Sequence, residues 1–241
     1  MASNDEGSMS KDDEPTANDD EASFPISARS KIRRLSKFGS YSRADVYRIL
    51  DASPLCHVGY VVDGSPFVTP TLQWRIENTV YWHGSIASRF LEHANGCTVC
   101  VTCTLMDGYV LARSAFNHAV NYRSAMVFGI ARVLTDREVK TGALRNLTNG
   151  LFPNRWETLR PMDETEVNAT SILCLDIEEA TVKSRTGPPA DIEEAHIPVW
   201  SGVIPVSTRL ATPEPAPELP KSITLPEGLE KLVASGQLRK I

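Results

Sequence analysis

Thr79-Val80-Tyr81-Trp82-His83-Gly84-Ser85-Ile86-Ala87-Ser88-Arg89 is the stretch on which the reading of this chain turns. Its first four residues are β-branched or aromatic and favour a strand. His83-Gly84-Ser85 breaks that strand. From Ser85 onward Phe90, Leu91 and Ala94 make an apolar helical face, opposite Arg89, Glu92 and His93. The stretch predicts a strand that runs through a small-residue turn into a helix. Two readings fit it. One is a phosphate site built from backbone N–H groups at a helix start, the hydroxyls of Ser85 and Ser88, and the guanidinium fork of Arg89. The other is an ordinary capped helix with a surface arginine.

Working outward, the chain has 241 residues, 41% of them hydrophobic, and a net charge of −5. That suffices for one good-sized core with tails. There is no basic excess to point to nucleic acid or an anionic membrane as a partner. No apolar run is long enough to span a bilayer, and the acidic, polar start is unlike a signal peptide. Five cysteines, an odd number, suit a reducing compartment, and the cytoplasm is expected.

Residues 1–38 read as an unfolded arm, acidic from Asp5 to Glu21 and basic from Arg29 to Lys37. A folded domain is expected over 39–210. Ser42 and Asp45 suggest a capping box before a short helix that buries Val46, Ile49 and Leu50. Leu55 to Val62 and Phe67 to Arg75 read as strands joined by Asp63-Gly64. After the opening stretch, Asn95-Gly96 ends the helix. Cys97 to Met106 and Tyr109 to Ala115 read as strands about an Asp107-Gly108 turn. Ser124 to Leu134 is a further strand, Asp136 to Asn149 a helix, and Thr170 to Lys183 another strand. About six meandering strands favour a small antiparallel barrel, because closure removes exposed edges. Residues 211–241 read as a proline-rich tail with a short amphipathic segment from Leu229 to Leu238.

Cys97, Cys100 and Cys103 have metal-like spacing, but alternate faces of a strand cannot give one ion all three, so no metal site is expected. Arg113, near the end of an apolar strand, must face solvent or meet an anion or polar ligand. Asn117 to Ser124 is dense in donors and aromatic surface, either a pocket lining or a polar rim. Trp200 is a core anchor or a stacking partner.

The run from Cys56 to Gly64, His83-Gly84-Ser85 with Ser88-Arg89, Leu111 to Phe116, and Asn121 to Ser124 together resemble the flavin-nucleotide-binding proteins related to pyridoxamine 5′-phosphate oxidase. Phe152-Pro153 with Arg155-Trp156, Arg185 to Pro189, and Pro198 to Val203 fit as well. The likeness spans about Ile32 to Pro205, and its branch is similar to nitroimidazole-resistance proteins. It implies a mainly β fold, the FMN-binding split barrel: a six-stranded antiparallel, Greek-key-like barrel with peripheral helices. It implies a homodimer with FMN at the subunit interface. It implies FMN contacts from Thr69 and Thr71 on the strand beside the ring, from His83, Gly84, Ser85, Ser88 and Arg89, and from Arg113, Ser114 and Trp200. His83 and His118 are the candidate proton donors, and His118 is the expected one, although relatives often carry two adjacent histidines where this chain has Asn117-His118. The function implied is an oxidoreductase that passes hydride from NAD(P)H through FMN to a nitro compound, quinone or similar small molecule. A non-catalytic flavin store or sensor, and a haem-binding split barrel, are the alternatives.

Overall fold

The sequence alternates apolar and polar residues wherever a strand has one face in the core, and a computed structural model shows where that alternation leads. It describes residues 22–237. Strands β1 (Gly39–Ser40), β2 (Leu55–Val62), β3 (Ser65–Ile76), β4 (Thr79–Ser85), β5 (Thr98–Leu111), β6 (Ala119–Val133), β7 (Thr170–Asp176), β8 (Glu179–Arg185) and β9 (Gly202–Pro205) form one antiparallel sheet. Cys56, Val58 and Tyr60 of β2 point inward, as do Val99, Val101 and Cys103 of β5, Ala125 and Val127 of β6, and Val80 and Trp82 of β4. Burial of these side chains is the main driving force for closure.

Six strands close into a ring in the order β6-β7-β4-β3-β2-β5, and the β5–β6 ladder seals it. The fold is the expected mainly β split barrel with peripheral helices. β6 is where the barrel splits. Tyr122 to Phe128 pair with β8, while Ala131 to Val133 pair with β7. Gly129 lies between the two pairings. A Cβ there would stand 2.4 Å from the Asp176 carbonyl oxygen and 2.9 Å from Leu175, so only glycine lets the strands pass this closely.

Helix α1 (Arg43–Ala52) buries Val46, Ile49 and Leu50. Helices α2 (Arg89–Ala94), α3 (Arg137–Leu151) and α4 (Glu164–Ala169) stand at the periphery. α3 lays Ala143, Leu144, Leu147 and Leu151 on Trp74 and Ile172. β7 is consequently covered on both faces, which is why Ile172, Leu173, Cys174 and Leu175 are all buried.

Several local expectations are corrected. Asp107-Gly108 is a bulge, not a turn: β5 continues to Leu111, with the register shifting between Met106 and Gly108. Arg123 clamps the bulged Asp107 through Nε at 2.9 Å and Nη2 at 2.7 Å. The hairpin turn lies at residues 112–118, and β6 begins at Ala119 rather than Ser124. Thr170 to Lys183 is two strands rather than one. The helix expected from Ser85 starts at Arg89, because Ser85 to Ser88 form a tight turn. Ser42 makes no side-chain cap, as Asp45 instead accepts from the Ser40 hydroxyl at 2.6 Å. The arm is packed from Phe24 onward. Phe24 is buried, meets Tyr47 edge-on and lies under the Arg43 guanidinium at 4.3 Å. Residues 1–21 lie outside the described residues. The proline-rich tail leads to α5 (Glu227–Ser235), whose Gly228 lies against the Pro153 carbonyl.

Adding a methyl group at the split should strain it. Gly129→Ala is expected to cost about 1–3 kcal/mol, the usual range for overpacking. Urea denaturation would show this as a lower midpoint with unchanged slope.

Candidate functional site

The site residues expected from the sequence fall into two groups. The first surrounds the corner between β4 and α2. β4 lies against β7 with His83 opposite Ile172, Gly84 opposite Ser171 and Ser85 opposite Thr170. Strand alternation sends Trp82 into the barrel and His83 to the α3 side. There His83 meets the edge of Trp74, with ring centroids 6.0 Å apart. Gly84 faces Leu91 of α2. The turn after β4 is tied down by Ile86 N–H donating to the Ala169 carbonyl at 2.9 Å and Ala87 N–H donating to Ser85 Oγ at 3.2 Å.

α2 is only six residues long, and Ser88 at its start makes no side-chain cap, so its hydroxyl is not consumed by the helix. Arg89 is exposed and makes no ion pair or side-chain hydrogen bond among the described residues. Phe90 of α2 packs on Tyr60 at 5.2 Å between ring centroids, and the Tyr60 hydroxyl lies 3.4 Å from Thr69 Oγ1. Tyr60 thus links α2 to the β3 edge carrying Thr69 and Thr71. Tyr60 and Phe90 were missed as site residues. Tyr60 was marked only by strand alternation and Phe90 only by helical spacing, and both patterns mark core and pocket wall alike.

His83 Nδ1 is buried with no hydrogen-bond partner among the described residues. Burial pushes its pKa below the ordinary histidine value. Burial thus disfavours the protonated imidazole.

The second group stands at the β5–β6 hairpin tip. Arg113 meets an anion from its own chain: Asp191, almost wholly buried, accepts from the Arg113 backbone N–H at 2.5 Å and has Arg113 Nη1 at 3.6 Å. Arg113 Nε is buried and has no hydrogen-bond partner among the described residues. Asp191 was also missed. The need of Arg113 for an anion was the only clue, and nothing local identified which acid supplies it. Ser114 Oγ accepts from Asn117 Nδ2 at 2.9 Å, and its carbonyl lies 2.8 Å from His118 Nδ1. Trp200 is 65% exposed, so it is not a core anchor. Cys100 is half-buried and Cys103 is buried on the opposite face of β5.

The structure does not bring the two groups together in one chain. β5 leaves the α2 corner at Thr98 and reaches the tip at Leu111, roughly 40 Å along the strand at 3.3 Å per residue. Each group is a partial site. Among the described residues no helix is long and apolar enough to cross a membrane.

Comparison with known proteins follows the same division between fold and site. The family model described as pyridoxamine 5′-phosphate oxidase matches residues 42–184. The structure of the flavocytochrome Anf3 from Azotobacter vinelandii superposes with a TM-score of 0.81 at 44% identity, covering 85% of this chain and 96% of that one. A protein from Mycobacterium smegmatis described as binding FAD and haem superposes at 0.80 and 33% identity, covering 84% of this chain and all of its own. A 5-nitroimidazole antibiotic resistance protein from Bacteroides thetaiotaomicron, at 0.50 and 21% identity, covers 60% of this chain and 85% of its own, and shares the fold. A search among curated proteins gave no match.

The buried imidazole carries a pH signature. The unfolded chain takes up a proton at His83 near pH 6.5, and the folded chain resists doing so. Stability is therefore expected to fall as the pH drops below 6.5, and to be regained above it. Urea midpoints of the wild type and His83→Gln across that range would show a shallower acid slope in the variant.

Proposed function

The chain belongs to the pyridoxamine 5′-phosphate oxidase family, and from that premise we propose that it is a flavin-binding redox protein that also takes a haem. The observation that carries the flavin reading is the β4–α2 corner. There Arg89, exposed and without an ion pair among the described residues, follows Ser88, whose hydroxyl is not spent on capping. A phosphate needs a charged fork and hydroxyl donors of this kind. Ser88 and Arg89 would hold the flavin phosphate, with Ser85 nearby, and Thr69 and Thr71 would line the edge of the ring. Flavin supplies electron-transfer chemistry, while the protein supplies binding and orientation. His83, whose burial disfavours protonation, stands beside this corner.

The form of the flavin follows the relatives. The sequence resemblance implies FMN, whereas the Mycobacterium smegmatis protein, at 33% identity, is described as binding FAD together with haem. We adopt FAD. The flavocytochrome relative supports haem as the second group. This reading takes up the haem-binding alternative and joins it to the flavin.

We also propose a homodimer. The outward faces of β2, β3 and β6 expose Leu55, Val61, Val68, Met126 and Ile130, an apolar surface that a second copy would cover. Pairing of two chains would let the hairpin tip of one, with Arg113, Ser114 and Trp200, approach the flavin corner of the other. The physiological donor we propose is NAD(P)H, and the acceptor a nitro compound, quinone or similar oxidant. The five cysteines are free thiols, in keeping with a reducing, cytoplasmic setting.

Two measurements test this. Chromatography of cofactor released on denaturation should yield FAD; release of FMN alone would return the reading to the simpler flavin. Arg89→Ala should bind flavin roughly ten- to a hundredfold more weakly, with unchanged far-UV circular dichroism, as expected for loss of a charge-assisted hydrogen bond. Unchanged affinity would remove the phosphate from this corner.

A further inference from the structure

The arm that leads into the barrel carries a motif that neither cofactor uses. Residues 29–37 hold five cations, Arg29, Lys31, Arg33, Arg34 and Lys37. Arg29 is spent on the fold, paired with Glu179 at 2.8 Å. Arg33 and Arg34 are exposed and make no ion pair or side-chain hydrogen bond among the described residues. They stand three and two residues before Ser36. Ser36 is exposed as well, and its hydroxyl makes no hydrogen bond among the described residues. The neighbouring serines differ. Ser30 is buried, with its Oγ accepting from the Ser27 N–H at 2.8 Å, and Ser40 donates to Asp45.

The loop around Ser36 is pinned at both ends and loose between them. The Ile32 N–H donates to the Tyr41 hydroxyl at 2.8 Å, and Ile32 Cδ1 fills the place where a Cβ of residue 39 would stand. Gly39 and Ser40 pair with Lys183 and Val182. Between these anchors Arg33 to Lys37 are all exposed. Leu35 has φ 56° and ψ 48°, the left-handed region, which strains a side chain of this kind. Drawing Ser36 out into an extended segment relieves that strain. It gives up one turn, held by the Phe38 N–H on the Leu35 carbonyl at 3.0 Å, and leaves both anchors in place.

Beside the loop lies a cation-lined cleft. A cavity of about 320 Å³ has Lys37, Arg48 and Arg123 in its wall, with one carboxylate, Asp45. Arg123 is engaged by Asp107. Arg48 is exposed and meets Asp45 through Nη1 alone, at 3.0 Å, while Lys37 Nζ rests over the Phe38 ring at 5.1 Å. Lys37 follows Ser36 directly, so a phosphate on Ser36 stands beside this wall.

We propose that Ser36 is a phosphorylation site for a protein kinase whose acidic cleft reads arginines, and that the phosphoserine docks on Lys37 and Arg48. Guanidinium forks pair with carboxylates, so Arg33 and Arg34 supply what such a kinase recognises ahead of the acceptor serine. In the transfer Ser36 Oγ forms a bond to the γ-phosphorus of ATP, the bond from that phosphorus to the ADP oxygen breaks, and the hydroxyl proton passes to the base of the kinase. The product brings a charge of about −1.5 to −2 into a run of positive ones. Docking then ties the arm to α1 through Arg48. The site is independent of flavin and haem.

Incubation of the full-length protein with ATP and the catalytic subunit of cyclic-AMP-dependent protein kinase tests the assignment. Intact mass and fragment spectra should show one phosphoryl group, on Ser36. Ser36→Ala should take up none there, and the double variant Arg33→Gln, Arg34→Gln should react roughly tenfold more slowly or worse. Phosphorylation should raise the thermal midpoint of the wild type by about 2–4 °C. Arg48→Gln should be phosphorylated at the wild-type rate and show no such rise. A wild-type Ser36 left unmodified, or a rate indifferent to the two arginines, would overturn the site. An equal rise in Arg48→Gln, or none in the wild type, would overturn the docking.

Discussion

The pairing of β5 with β6 is the constraint on which the rest of the structure depends. It joins Thr98 to Ile130 at one end and Val110 to Ala119 at the other, and it seals the six-stranded ring. Closure makes every residue of these strands choose between the core and the outside. Before Asp107 the inward residues of β5 are Val99, Val101 and Cys103. One inserted residue reverses the parity, so that Val110 is buried while Tyr109 and Leu111 face outward. Without the bulge, the apolar face at the hairpin tip would point into the barrel. Asp107 holds that reversal from two sides, accepting from the Arg123 side chain and, through its carbonyl, from the Val206 N–H.

The length of the same ladder separates the two halves of the candidate chemistry. The corner near Ser88 and Arg89 lies where β5 begins, and the group around Arg113, Ser114, His118 and Trp200 lies where it turns back. A single chain therefore carries two separate polar groups. The first holds Ser85, Ser88 and the exposed Arg89. The second holds Arg113 against Asp191 and His118 against the Ser114 carbonyl.

Much of the fold was legible because its signals are local. Alternation in Leu55–Val62, the Asp63-Gly64 turn and the apolar spacing of Ala143, Leu144 and Leu147 each act within a few residues; Val139, which the same spacing turns inward, is 52% exposed because it lies in the first turn of α3. What escaped depends on distant partners. Asp107-Gly108 has the composition of a turn, and the partners that hold it as a bulge, Arg123 and the Val206 N–H, lie sixteen or more residues on. Ser85 to Ser88 have helix-start composition, but Ala169 captures the Ile86 N–H and delays the helix to Arg89. Phe24 was hidden by the charge around it, although one aromatic side chain with Tyr47 and Arg43 as partners is enough to dock the arm. At the site, the corner residues were visible in a short contiguous run. Asp191, the anion for Arg113, lies 78 residues away with no local mark.

The visible absorption spectrum of the freshly purified wild-type protein, recorded before and after anaerobic reduction, tests the central claim most directly. The account predicts two chromophores in one chain: a two-banded flavin spectrum that is lost on reduction, and an intense Soret band that shifts. A colourless protein that takes up neither added flavin nor added hemin would contradict it.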